Sequence, residues 1–103
     1  MAFTLNLVDD GEMVVVRLSG FVGLTQAHDL LDAVRDEFTR TNPKSCSVLV
    51  ELHGMAQVAE GAISQLLALR DLCAFAGCRR VLLRLKGHVC PYNDQGLRTQ
   101  LAA

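Results

Sequence analysis

The stretch Cys46-Ser47-Val48-Leu49-Val50-Glu51-Leu52-His53-Gly54-Met55-Ala56-Gln57-Val58-Ala59-Glu60-Gly61-Ala62-Ile63, running on to Ala76, decides the fold. Val48, Leu49, Val50 and Leu52 form an almost unbroken apolar run, the pattern of a short strand buried on both faces. Gly54 marks the turn out of it. From Ala59 the apolar spacing becomes helical, and Gly77 stands where a helix C-cap glycine belongs. A strand, a loop and a helix N-terminus in that order make the region of an α/β domain where ligands and partners are met.

On the N-terminal side, Phe3 to Val8 alternates apolar and polar residues, as a half-buried strand does. Asp9-Asp10-Gly11 is a hairpin signal leading to a second strand over Met13 to Leu18, closed by Ser19-Gly20. Phe21-Val22-Gly23-Leu24 is an unusually apolar connection. Thr25 is the expected N-cap of a helix whose Ala27, Leu30, Leu31, Val34 and Phe38 recur at three- and four-residue steps. Asn42-Pro43 ends that helix, because proline disfavours helical geometry in the residue before it.

On the C-terminal side, Val81 to Leu85 reads as a fourth strand, flanked by Arg79, Arg80 and Lys86 and ended by Gly87. Pro91 to Asp94 reads as a loop, with Asn93 or Asp94 capping a short helix that holds Leu97 and Leu101. Helices between successive strands imply parallel crossovers, and the opening hairpin adds an antiparallel pair. The expected fold is α/β: a mixed four-stranded sheet with helices packed on one face, in one domain over 1–103.

With 103 residues, half of them hydrophobic and 20% charged, the chain has the composition of an ordinary globular domain. Its net charge of -1 gives no electrostatic reason to expect nucleic acid or an anionic membrane as partner. The N-terminus lacks the basic start and apolar core of a secretory signal. No apolar run reaches the roughly 20 residues that span a bilayer, so a cytoplasmic protein without membrane insertion is expected. Four cysteines leave disulfides possible by count. However, Cys46 and Cys73 sit in apolar segments, where a thiol behaves as a small hydrophobe. Neither Cys73 and Cys78 nor His88-Val89-Cys90 has the spacing of a metal knuckle, so no metal and no cofactor are expected.

Placed at 100° steps, Ala62, Leu66, Leu69 and Cys73 form the buried stripe of the second helix, with Glu60, Ser64 and Asp71 opposite. Leu67, Ala68 and Phe75 fall beside that polar cluster, where a helix on a single sheet needs no apolar side chains. Either they form a contact surface for another protein or for a second subunit in a homodimer, or the apolar sector is broad and a neighbouring helix covers it. His53 and His88 follow strand ends, and His28 lies on the polar side of the first helix. With Cys90 and Glu51 they match no recognised catalytic spacing, so no catalytic residues are assigned.

The order of elements and the central stretch resemble the STAS domain, the module shared by anti-sigma-factor antagonists and sulfate transporters. Without a gap, Glu51-Leu52-His53-Gly54 falls on the family's Asp-Leu-Ser-Gly, and Ala59-Glu60-Gly61-Ala62-Ile63 on its Asp-Ser-Ser-Gly-Leu. Leu66-Leu67 falls on its paired leucines, and Leu18-Ser19-Gly20 on its strand ending before the first helix. The likeness covers about residues 3 to 90, and only one helix is expected after Gly87, fewer elements than some members have. It implies a non-enzymatic regulatory module of bacterial signalling whose partner is a kinase-like anti-sigma factor or a transporter component. The family's phosphoacceptor serine is here Glu60 and the aspartate before it is Ala59, so Glu60 sets a fixed negative charge at a helix start. The residues assigned to partner binding are Glu51, His53, Gln57, Glu60, Ser64, Leu67, Asp71 and Phe75. The alternative is a domain of the same fold that binds a small ligand (lipid, nucleotide or anion) near a helix N-terminus.

Overall fold

The structure, a computed structural model, describes residues 2–8, 12–41, 46–53, 56–85 and 87–98. The expected turns at Asp9-Asp10-Gly11, Asn42-Pro43 and Gly54, and the helical position of Leu101, lie outside the described residues. The chain is α/β with a mixed sheet. Strands β1 (Ala2–Val8) and β2 (Met13–Ser19) pair antiparallel, Leu5 facing Val16. Strands β4 (Ser47–Leu52) and β6 (Arg80–Leu85) follow in parallel. The four strands legible in the sequence thus lie side by side, and a fifth joins them. Strand β7 (His88–Pro91) pairs antiparallel with β6 and gives the order β1-β2-β4-β6-β7. The segment after Gly87 was expected to hold a helix alone, and it holds this strand as well.

A second small sheet was not foreseen. β3 (Phe21–Val22) pairs in parallel with β5 (Gln57–Val58), just beyond the ends of β2 and β4. The apolar connection at Phe21-Val22 is therefore a short strand. It is anchored where the Gln57 N–H donates to the Gly20 carbonyl and the Ala59 N–H to that of Val22.

Helix α1 spans Leu24–Thr41. Thr25 is not its N-cap, because the helix begins one residue earlier: the Gly23 carbonyl accepts from Ala27 at 2.9 Å, and the Gly23 N–H donates to Gln26 Oε1 at 3.0 Å. That side-chain bond is half of a capping box, with glutamine in the third helical position. After an extended Ala59 comes a 3-10 turn, Glu60–Ala62, and then α2 (Ile63–Phe75). Helix α3 (Asp94–Arg98) is capped by Asn93, whose Oδ1 accepts the Gly96 N–H at 2.9 Å.

Alternation divides the sheet into two faces. Val14, Val16 and Leu18 of β2, Val48, Val50 and Leu52 of β4, and Leu83 of β6 join Leu30, Val34 and Phe38 of α1 in one buried cluster. Leu66, Leu69 and Cys73 of α2 and Leu97 of α3 belong to the same cluster. All three described helices therefore pack on one face. Helix α3 comes close because residue 96 is glycine: a Cβ there would lie 2.9 Å from Leu83 Cδ2. The other face carries Val15, Leu49 and Leu82 in one row and Arg17, Glu51 and Arg84 in the next.

Candidate functional site

The 3-10 turn and α2 place most of the predicted partner-binding residues on one outward line. Ala62, Leu66, Leu69 and Cys73 are buried as expected, which turns Glu60, Ser64 and Asp71 to solvent. Phe75, at the C-terminal end of this line, is 94% exposed. At 1.5 Å per residue, Ser64 to Phe75 spans about 16 Å. Leu67 and Ala68 are partly buried against the core cluster, so the apolar flank of α2 is half covered and half open.

α2 ends in a Schellman closure. The Cys78 N–H donates to the Cys73 carbonyl at 3.0 Å and the Gly77 N–H to that of Ala74 at 3.1 Å. Gly77 takes φ 92°, in the left-handed region that glycine reaches without strain. The same closure presents Phe75 on the last turn.

At the other end, Glu60 opens the 3-10 turn with an exposed carboxylate, 3.5 Å from the Arg98 guanidinium of α3. Arg98 Nε also donates to Asp94 at 2.8 Å. Asp94 first, and Glu60 to a lesser degree, favour the charged form of Arg98. Two carboxylates and one guanidinium leave this corner with net negative charge.

His53 and Gln57 lie at the same end of the sheet. The exposed His53 follows β4, its N–H donating to the Leu18 carbonyl and its own carbonyl accepting from Ala56 at 2.7 Å. Gln57 is exposed on β5 opposite Phe21. Phe21, opposite Gln57, is 56% exposed, and Leu24 at the start of α1 is 51% exposed, two apolar side chains not assigned to the surface. Their signal was the run of apolar residues over 21–24, in a segment that a polar loop would otherwise occupy.

Glu51 is not brought to this surface. It stands on the face opposite the described helices, accepting from Arg17 Nε at 3.2 Å and from Arg84 Nη1 at 3.1 Å across three adjacent strands. Its geometry is that of a cross-strand ion ladder, with Arg17 and Arg84 as its neighbours in register.

His88 pairs with Leu85, which pairs with Leu52. It therefore sits two strands away from the end of β4, about 10 Å at ordinary strand spacing. His88 and His53 are exposed, while Cys90 lies against Gly96. Among the described residues no three His, Cys, Asp or Glu side chains gather with the geometry to hold a metal, and no helix is long and apolar enough to cross a membrane. No protein-family model, no curated protein and no solved structure matches this chain.

Proposed function

We propose that the chain is a non-enzymatic interaction module of the STAS type, and that the line from Glu60 on the 3-10 turn to Phe75 on α2, together with His53, Gln57 and Phe21, receives a partner protein. The observation that carries this reading is Phe75, a large apolar side chain almost wholly exposed on the same helix line as Glu60, Ser64 and Asp71. Burying such a ring in a partner's pocket contributes about 1.5–3 kcal/mol, the scale of an interface anchor. The acidic groups along the line favour a partner with basic side chains at the rim.

In this reading the partner is a kinase-like anti-sigma factor or a transporter component, as the STAS likeness implies. Glu60 holds the charge that a phosphoserine would carry in the family, so the module is fixed in one state. The test is capture from the source cells with the wild type and with Glu60→Ser. A kinase-like or transporter-derived partner held by the wild type and altered in occupancy by Glu60→Ser supports the reading. A capture set identical for both proteins contradicts the role of Glu60.

A second reading, a small-ligand carrier, has one observation in its favour. A groove of about 300 Å³ is lined by Leu85, Cys90, Pro91, Asn93, Gln95 and Gly96. That volume is at the lower end for a ligand site. A native mass spectrum with a co-purified molecule favours it, and a clean apo mass removes it.

A further inference from the structure

Three of the four cysteines meet at one corner of the fold. Cys46 immediately precedes β4, Cys73 lies in the last turn of α2, and Cys78 lies between α2 and β6. Two structural features bring them together. The Arg79 N–H donates to the Cys46 carbonyl at 2.8 Å, which holds the segment before β6 against the start of β4. The Schellman closure folds Cys78 back over Cys73, as the residue after the cap packs on the helix's last turn. The Sγ atoms of Cys46 and Cys78 are 3.7 Å apart. Cys46 is buried, whereas Cys78 is partly open to solvent.

We propose that Cys46 and Cys78 are a redox-switchable pair, converted by an oxidised low-molecular-weight thiol into an intrachain disulfide. The proposal does not depend on the docking reading above. Cys78, the more accessible thiol, loses its proton to solvent and attacks one sulfur of the small disulfide. A mixed disulfide forms and the first small thiolate leaves. Cys46 then gives up its proton, its sulfur attacks Cys78 Sγ, and the second small thiolate departs. The two cysteines lose two electrons, the small disulfide gains them, and the two leaving thiolates take up the two protons.

The sulfurs must close to about 2.05 Å, a shift of under 2 Å that side-chain rotation supplies once the backbones are held side by side. Burial, then the adjacent Cys46 thiol, pushes Cys78 up to about 12. Conversion is therefore slow at neutral pH and faster in alkali, since the thiolate is the nucleophile. The closed loop contains β4, β5, the 3-10 turn and α2, and with them every residue from Glu51 to Phe75.

The test is to equilibrate the folded protein with graded ratios of reduced to oxidised glutathione at mildly alkaline pH. The reaction is then trapped by alkylation and read by intact mass and peptide mapping. The expected product is a monomer lighter by two hydrogens, with two thiols lost, a peptide joining Cys46 to Cys78, and a Tm raised by about 5 °C or more. Cys46→Ser and Cys78→Ser remove the product, while Cys90→Ser retains it. Four free thiols at every ratio, glutathione adducts alone, a bond between any other pair or a lowered Tm overturns the proposal. If a serine variant fails to fold, the wild-type peptide map decides alone.

Discussion

Tyr92 shows how much a single side chain settles. Its ring is buried and its hydroxyl donates to the Leu66 carbonyl at 2.5 Å, tying the segment before α3 to the first turn of α2. Tyr92→Phe keeps the packing and removes that bond, so stability should fall by about 1 kcal/mol, read as a lower denaturant midpoint with unchanged slope. The role of Tyr92 was not legible in Pro91-Tyr92-Asn93-Asp94, because a buried tyrosine and a loop tyrosine look alike until the strand before them is recognised. Thr25 has a similar lesson. A threonine ahead of an apolar-periodic run is a good N-cap by type, yet Gln26 reaching back to Gly23 begins the helix earlier. Glu51 stood inside the stretch that resembles a family motif, but alternation along β4 turns it away from α2 and toward Arg17 and Arg84.

At the scale of elements, α2 was the most readable part of the chain. Its buried stripe follows from 100° steps alone, and Gly77 marks its end. What periodicity could not divide was the outer flank. Leu67 turns partly into the core and Phe75 turns fully out, a difference set by where α2 lies against its neighbours. Phe75→Asp should leave stability within about 1 kcal/mol of wild type, the main cost being an acid near a helix C-terminus. Leu67→Asp, which places a charge against the core cluster, should cost about 1–3 kcal/mol. Thermal unfolding of the two variants side by side checks the distinction. Gly77→Ala forces a Cβ into the left-handed region and should cost about 1–2 kcal/mol by the same measurement. β7 escaped detection for a different reason. Four residues on a sheet edge, with Val89 51% exposed, bury too little to leave an apolar signature.

Across the described residues one helix layer lies on the five-stranded sheet, with the Cys73 thiol and the Tyr92 phenol buried between them. Burial, and then the neighbouring thiols, raise Cys73 above its ordinary value of 9.0, and burial raises Tyr92 above 10.0. Both groups are neutral when protonated and keep their protons longer in the folded state. Their contribution is complete below the unfolded values and is lost as pH rises from about 9 toward the folded values. Stability should be flat to about pH 8.5 and then fall by about 1.4 kcal/mol per pH unit for each group titrating only in the unfolded chain. Cys78, partly exposed, adds less. Denaturant midpoints between pH 7 and 11 measure this, and a flat profile through pH 11 would mean that these groups reach solvent in the folded protein.

The open end of α2, with Phe75 94% exposed, is proposed to meet another protein. A photoreactive benzophenone side chain in place of Phe75, expressed in the source cells and irradiated, tests it most directly, with the same group in place of Val89 as control. A docking surface at this end of α2 gives one discrete protein adduct from position 75 and none from position 89. No adduct at position 75, or the same adducts from both positions, contradicts it.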